Sequence, residues 1–123
     1  MMKLPSELTA GDSYCVFKDK IRPSLEDPAN KCGGRWIIYM HKQKDELDSY
    51  WFKIVVLLLK GSFKNNDQVL GAVVNAQDRS EISIWMADTS KMEENLEVAR
   101  KVEMELSLHG KMHFLAHQLV NEA

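Results

Sequence analysis

The chain has 123 residues, enough for one domain with a single core, and two domains are not expected. Hydrophobic residues make up 45% and charged residues 28%, which excludes a disordered or collagen-like chain. Sixteen Lys and Arg stand against eighteen Asp and Glu, a formal charge of -2, so no general attraction to a nucleic-acid backbone is implied and any such contact must be local.

Met1 to Gly11 lacks the apolar core of a signal peptide, and the longest unbroken apolar run, Ile54 to Leu59, is far short of the ~20 residues that a membrane span needs. A cytoplasmic protein is expected, with the nucleus as a second compartment, and no membrane. Tyr14 to Phe17 and Arg35 to Met40 are apolar runs that predict strands. Between them Ile21 to Gly34 holds Pro23, Pro28, Gly33 and Gly34, which predicts a long connecting loop without a regular element. Loops of more than ~12 residues are often functional, so this one is a candidate site on length alone.

Asp45 is placed to cap a helix running to about Lys60, with Gly61 as its stop. Leu47, Trp51, Ile54 and Leu58 share the face expected to pack on a sheet. Phe52, Val56 and Leu59 make a second stripe on roughly the opposite side, to be covered either within the fold or by a partner. Leu70 to Gln77 and Glu81 to Met86 predict a hairpin, with Ile82, Ile84 and Met86 on a buried face and Glu81, Ser83 and Trp85 on a mixed one. Ser90 and Glu93 form a capping-box pattern before a helix whose inner side is Met92, Leu96, Ala99, Val102 and Leu106, ending near Gly110. Lys111 to Leu119 supplies a last strand. The sum is an α+β domain of roughly five strands and two long helices, without repeats.

Little in the chain speaks for catalysis. His113 and His117 on a strand lie ~13 Å apart, and no carboxylate stands between them as in a zinc-binding helix, so no metal is expected. Cys15 and Cys32 lack the spacing of a zinc or redox pair and are read as reduced thiols. No glycine-rich phosphate loop or nucleophile elbow is present, and neither an enzymatic activity nor a cofactor is expected. What remains is the long loop with Glu26 and Asp27, the strand residue Arg35, and Trp85 facing away from the core. Unaided, these read as a solvated loop acid and a packing tryptophan.

The segment FKDKIRPSLEDPANKCGGRW, Phe17 to Trp36, resembles a loop of the translation initiation factor 4E family. Leu47 to Phe63, Gly71 to Ala76 and Ile82 to Trp85 resemble that family's helix and following hairpin, in order. The resemblance implies a curved antiparallel sheet with helices on its convex face, here one domain over residues 1–123 that lacks the family's early and last strands. It also implies that the concave face binds the mRNA cap, N7-methylguanosine triphosphate. Methylation makes that base cationic, so stacked indoles gain cation-π attraction and a carboxylate accepts its N–H donors strongly.

By resemblance Glu26 is that carboxylate, Trp85 touches the methyl group, Arg35 helps neutralise the phosphates and Trp36 is structural. Leu25 stands where the family has one sandwiching tryptophan, and the other precedes the equivalent of Met1. Gln77 and Glu81 stand where the family has an arginine and a lysine, leaving Arg79 as the basic residue of that turn. The convex stripe of Phe52, Val56 and Leu59 matches the surface that takes scaffold factor 4G or 4E-binding repressor proteins, although Lys53 replaces a family glutamate. A monomeric cap-binding initiation factor is one expectation. A degenerate paralogue or isoform with weak or no cap binding, acting as a protein-interaction decoy, is the other, and a truncated product without function is a third.

Overall fold

Along the strand β4 (Ser80–Met86) the side chains of Ile82, Ile84 and Met86 are fully buried on one side of the backbone, while Ser83 and Trp85 turn to the other. Alternation of this kind follows from the pleat, and burying each such aliphatic side chain contributes roughly 1.5–3 kcal/mol. The computed structural model describes residue 5 and residues 13–40, 44–63, 66–75, 80–108 and 112–117. Its strands β1 (Ser13–Phe17), β2 (Gly34–Met40), β3 (Val69–Asn75), β4 and β5 (Met112–Ala116) form one curved sheet in the order β1-β3-β4-β2-β5, antiparallel at every step.

Two long helices cover one face, the convex one. Helix α2 (Lys44–Lys60) buries Leu47, Trp51, Ile54 and Leu57 against Trp36, Ile38, Ala72, Val74, Ile82 and Ile84 of the sheet. The β-branched run Ile54 to Val56 is a poor intrinsic helix former, so packing holds this helix more than propensity does. Gly61 ends it at a φ of 60°, with the Gly61 N–H donated to the Leu58 carbonyl and the Ser62 N–H to the Leu57 carbonyl, a Schellman closure that glycine adopts without strain. The cap expected of the Asp45 side chain lies outside the described residues. Helix α3 (Met92–Leu106) adds Val98, Ala99, Val102 and Leu106 to the same core.

Four expectations are corrected here. Ser90 does not cap α3, because its N–H and hydroxyl both bond the Asp88 carboxylate, which lowers the Asp88 pKa. Met92 is exposed, and α3 stops at Leu106 with Ser107 in the left-handed conformation, short of Gly110. The loop after β1 does contain a regular element, the single turn α1 (Pro28–Lys31), because Asp27 caps it and Pro28 has its φ preset for a first helical position. Among the described residues no helix is long and apolar enough to cross a membrane.

Candidate functional site

The loop that joins β1 to β2 is knitted from inside by two buried polar residues. The Asp27 carboxylate accepts the Arg22 N–H at 2.9 Å and the Ala29 N–H at 3.0 Å, and these bonds lower its pKa, with the Arg22 guanidinium 3.9 Å away adding to them. Asn30, wholly buried, donates its side-chain amide to the carbonyls of Arg22 at 2.8 Å and Ser24 at 2.7 Å. A loop closed this way holds a fixed shape and lifts its tip into solvent. Leu25 and Glu26 sit at that tip, both exposed, with the Glu26 N–H held by the Ser24 hydroxyl.

On the sheet face opposite the helices, Trp85 packs with Leu70 and Val73, and Phe17, Ile21 and Ala29 close around them. A bulge between Val69 and Gly71 turns Leu70 toward this face instead of the helix side. The Trp85 indole donates its N–H to the Ser83 hydroxyl at 3.2 Å. Phe17 meets the ring edge to face at 5.4 Å, and the Arg35 guanidinium lies over it at 5.2 Å, a cation-π contact. The His117 imidazole, just past the end of β5, lies 4.5 Å from it at a tilt of 54°. Trp85 therefore leaves the core side as expected and, at 6% exposed, is buried within this second face. Three side chains from separate strand ends cover it, and none of them is near it in sequence.

Arg35 and Trp85 are brought together as cross-strand partners of β2 and β4. Glu26 and Leu25 are carried by the loop whose Asn30 carbonyl is 3.0 Å from the His117 ring nitrogen, which connects the loop to the Trp85 cluster. Gln77 and Arg79 lie outside the described residues. Trp36 is buried in the helix-side core, with its indole N–H on the Asn95 carbonyl at 3.1 Å, as a structural tryptophan should be. Phe17, Asn30 and His117 were missed as parts of this face. Asp27 followed by Pro28 is a legible helix start that could have located the turn on which Asn30 sits.

On the outer side of α2, Phe52 is 68% and Leu59 74% exposed, while Val56 is half-buried. The stripe is thus left open by the fold at its two ends. A separate groove of about 360 Å³ lies between the end of α2 and α3, lined by Ser62, Phe63, Val98, Lys101 and Met104 among others, away from the Trp85 face. Among the described residues no cluster of His, Cys, Asp or Glu is arranged to hold a metal, and Cys15 and Cys32 are free and exposed.

Residues 1–122 match the family model of eukaryotic initiation factor 4E. A Drosophila melanogaster relative, eukaryotic translation initiation factor 4E1, is 42% identical over 120 residues, which cover 96% of this chain and 46% of the relative. The chain spans about half the length of the curated relatives it matches. Among solved structures, Ascaris suum eIF4E-3 with m7G cap superposes with a TM-score of 0.90 at 29% identity, over 99% of this chain and 71% of that one. Caenorhabditis elegans eIF4E-3, in complex with the 4E-binding protein Mextli and cap analog, superposes with a TM-score of 0.89 at 28% identity, over 94% of this chain and 68% of that one. The sheet order, the helices on one face and the string from Leu25 to Trp36 agree with this match, and the chain belongs to the eukaryotic initiation factor 4E family.

Proposed function

We propose that this chain binds the N7-methylguanosine cap of mRNA on the face around Arg35 and Trp85 and acts, without catalysis, in translation initiation in the cytoplasm, as one family domain. The observation that carries the reading is the tip of the β1–β2 loop. Asp27 and Asn30 hold it rigid, and the exposed Glu26 carboxylate is presented there, tied through His117 to a face with a guanidinium and an indole. A carboxylate so presented fits the N1–H and N2–H donors of a cationic guanine. The cap-bound worm relatives support the same assignment, and Gln77 and Arg79 are assigned by resemblance to the phosphate side.

The test is retention of the purified chain on immobilised 7-methyl-GTP, released by free 7-methyl-GTP and not by GTP. Equal release by both would remove the cap from the proposal. Leu25→Trp sharpens it. Leu25 is 49% exposed beside Glu26, so an indole fits there without repacking a core. One added stacking ring strengthens 7-methyl-GTP binding by ~1–3 kcal/mol in a fluorescence titration. An equal gain for GTP would mean that the ring adds only general apolar contact.

A second reading is favoured by the outer stripe of α2, which leaves Phe52 and Leu59 to solvent. Here the chain takes the amphipathic helix of a scaffold or repressor protein across α2, with anchors about one turn apart. The Mextli complex of the worm relative supports it. Phe52→Asp is expected to weaken binding of a scaffold-type helical peptide by about 2 kcal/mol, the value of a lost aromatic anchor, with the melting temperature unchanged. A mutant that unfolds would place Phe52 in the core, and one that binds as before would move the docking surface elsewhere.

A further inference from the structure

The loop that presents Leu25 and Glu26 is closed on itself by Asp27 and Asn30, but closure does not fix where its tip stands relative to the sheet. Ile21 and Ala29 rest on the Trp85 cluster, and the junction with β2 adds a second, hydrogen-bonded attachment. There Gly33 precedes the first β2 residue, and Gly34 pairs with Ala116 of β5, so His117 falls one step beyond the ladder. The His117 N–H continues the pairing onto the Gly33 carbonyl at 2.9 Å. Its ring Nδ1 is 3.0 Å from the Asn30 carbonyl, which also accepts the Gly33 N–H. A carbonyl can only accept, so Nδ1 carries a proton, while Nε2 is buried and without a hydrogen-bond partner among the described residues. The other side of the same ring rests on Trp85.

We propose that His117 is a positioning residue of this site, a latch that fastens the loop presenting Leu25 and Glu26 to the sheet face carrying Arg35 and Trp85. Its place as a latch in the cap site rests on the reading given under Proposed function. Three contacts make it one. The main chain of His117 extends the β2–β5 ladder, its ring nitrogen holds the carbonyl of the residue that knits the loop, and its ring packs on the indole at the centre of the opposite face. Burial lowers the His117 pKa and the Arg35 charge lowers it further, outweighing the Asn30 bond that raises it. The neutral ring with a single donated proton is the form that the site favours. Asn30 and Trp85 are the two ends it joins, and among the described residues no hydrogen bond or ring contact joins them directly.

The test uses the whole chain with His117→Ala and His117→Asn. An asparagine amide stands close to where the imidazole Nδ1 stands, so it keeps the donor and loses the ring. Amide hydrogen exchange is followed without ligand at Arg22, Ala29 and Gly33, whose N–H groups close the loop, with the β3 and β4 amides as the internal reference. His117→Ala is expected to speed exchange at those three by about fivefold, the worth of one hydrogen bond, and His117→Asn to bring them back to within about twofold of the parent. In titrations with 7-methyl-GTP the alanine protein binds about fivefold more weakly and the asparagine protein recovers. Unchanged exchange in the alanine protein overturns the latch. An asparagine protein as loose as the alanine one also overturns it, since the bond to the Asn30 carbonyl, the end that holds the loop, would then contribute nothing. Loop exchange that behaves as expected, while neither the parent nor the variants bind 7-methyl-GTP, leaves the latch standing and removes the cap reading instead.

Discussion

Replacing Glu26 by alanine is expected to weaken 7-methyl-GTP binding by about 3 kcal/mol, a factor of more than a hundred. The carboxylate is exposed at the tip of a loop that needs nothing from it. Its main-chain N–H donates to the Ser24 hydroxyl, a bond that alanine keeps. The fold should therefore be untouched, and the whole effect should fall on the ligand. Two N–H donors of a cationic base lose a charged acceptor, and hydrogen bonds to a charged group are worth a net ~1.5–3 kcal/mol each. The measurement is a tryptophan fluorescence titration of both proteins, with Glu26→Gln as a third. Glutamine keeps one acceptor oxygen and the shape but not the charge, so it should fall between. Equal affinity of the parent and the alanine protein would take Glu26 out of the site.

Gly33→Ala should cost the fold ~3 kcal/mol or more, at the upper end of what overpacking causes. A side-chain carbon at Gly33 would overlap the Met86 carbonyl oxygen and stand 3.0 Å from its carbon and 3.1 Å from the Ala87 carbonyl carbon. These are backbone atoms of the central strand and cannot swing aside as a side chain would. To make room, the start of β2 must lift from β4, which pulls at the Thr89 N–H bond to Cys32 and at the His117 bond to Gly33 as well. For a chain of this size the loss corresponds to a fall in melting temperature on the order of 15 °C, read by circular dichroism. A shift of less than about 3 °C would show that the strand end relaxes freely. The requirement is one of close approach, and it explains why two glycines stand before Arg35. At Gly34 an added carbon would lie 2.6 Å from the Phe114 ring and 2.7 Å from the Leu115 carbonyl oxygen.

The strands and the two long helices were legible because each carries its own periodicity. Ile82, Ile84 and Met86 fall on the core side and Trp85 on the other, as alternation requires, and Leu47, Trp51 and Ile54 pack on the sheet as helical spacing requires. Leu57 also packs into the core, although it was not counted on that face. The helix stop at Gly61 was legible for a chemical reason, since only glycine takes that φ freely. Prolines and glycines located the loop, the family string from Phe17 to Trp36 assigned it, and the structure gives that string a physical meaning: Asp27 caps, Asn30 knits, and Gly33 admits the β4 backbone. What could not be read was anything made by residues far apart in the chain. The cover over Trp85 comes from Phe17, Arg35 and His117, which only the sheet order brings together. The capping box at Ser90 failed for a local reason, because Asp88 is a nearer and charged partner for the hydroxyl.

The strand order also fixes when the binding face can exist during folding. Only β3 and β4 are neighbours both in the sheet and along the chain, so their pairing is the cheap early event, with few residues between them. Every other pairing joins strands that the chain visits far apart: β1 with β3, β2 with β4, and β2 with β5. Each of these closes a long loop, and a sheet dominated by distant pairings has a high contact order and folds slowly. Trp85 arrives with the first hairpin, but Arg35 comes only with β2, Phe17 with β1 and His117 with β5, the last of these five strands to leave the ribosome. The indole is thus an uncovered apolar surface until the final pairings are made. Chaperone binding to the folding chain should accordingly persist until β5 has docked, and substitutions in β5 should slow folding less than substitutions in the β3–β4 hairpin, while speeding unfolding more.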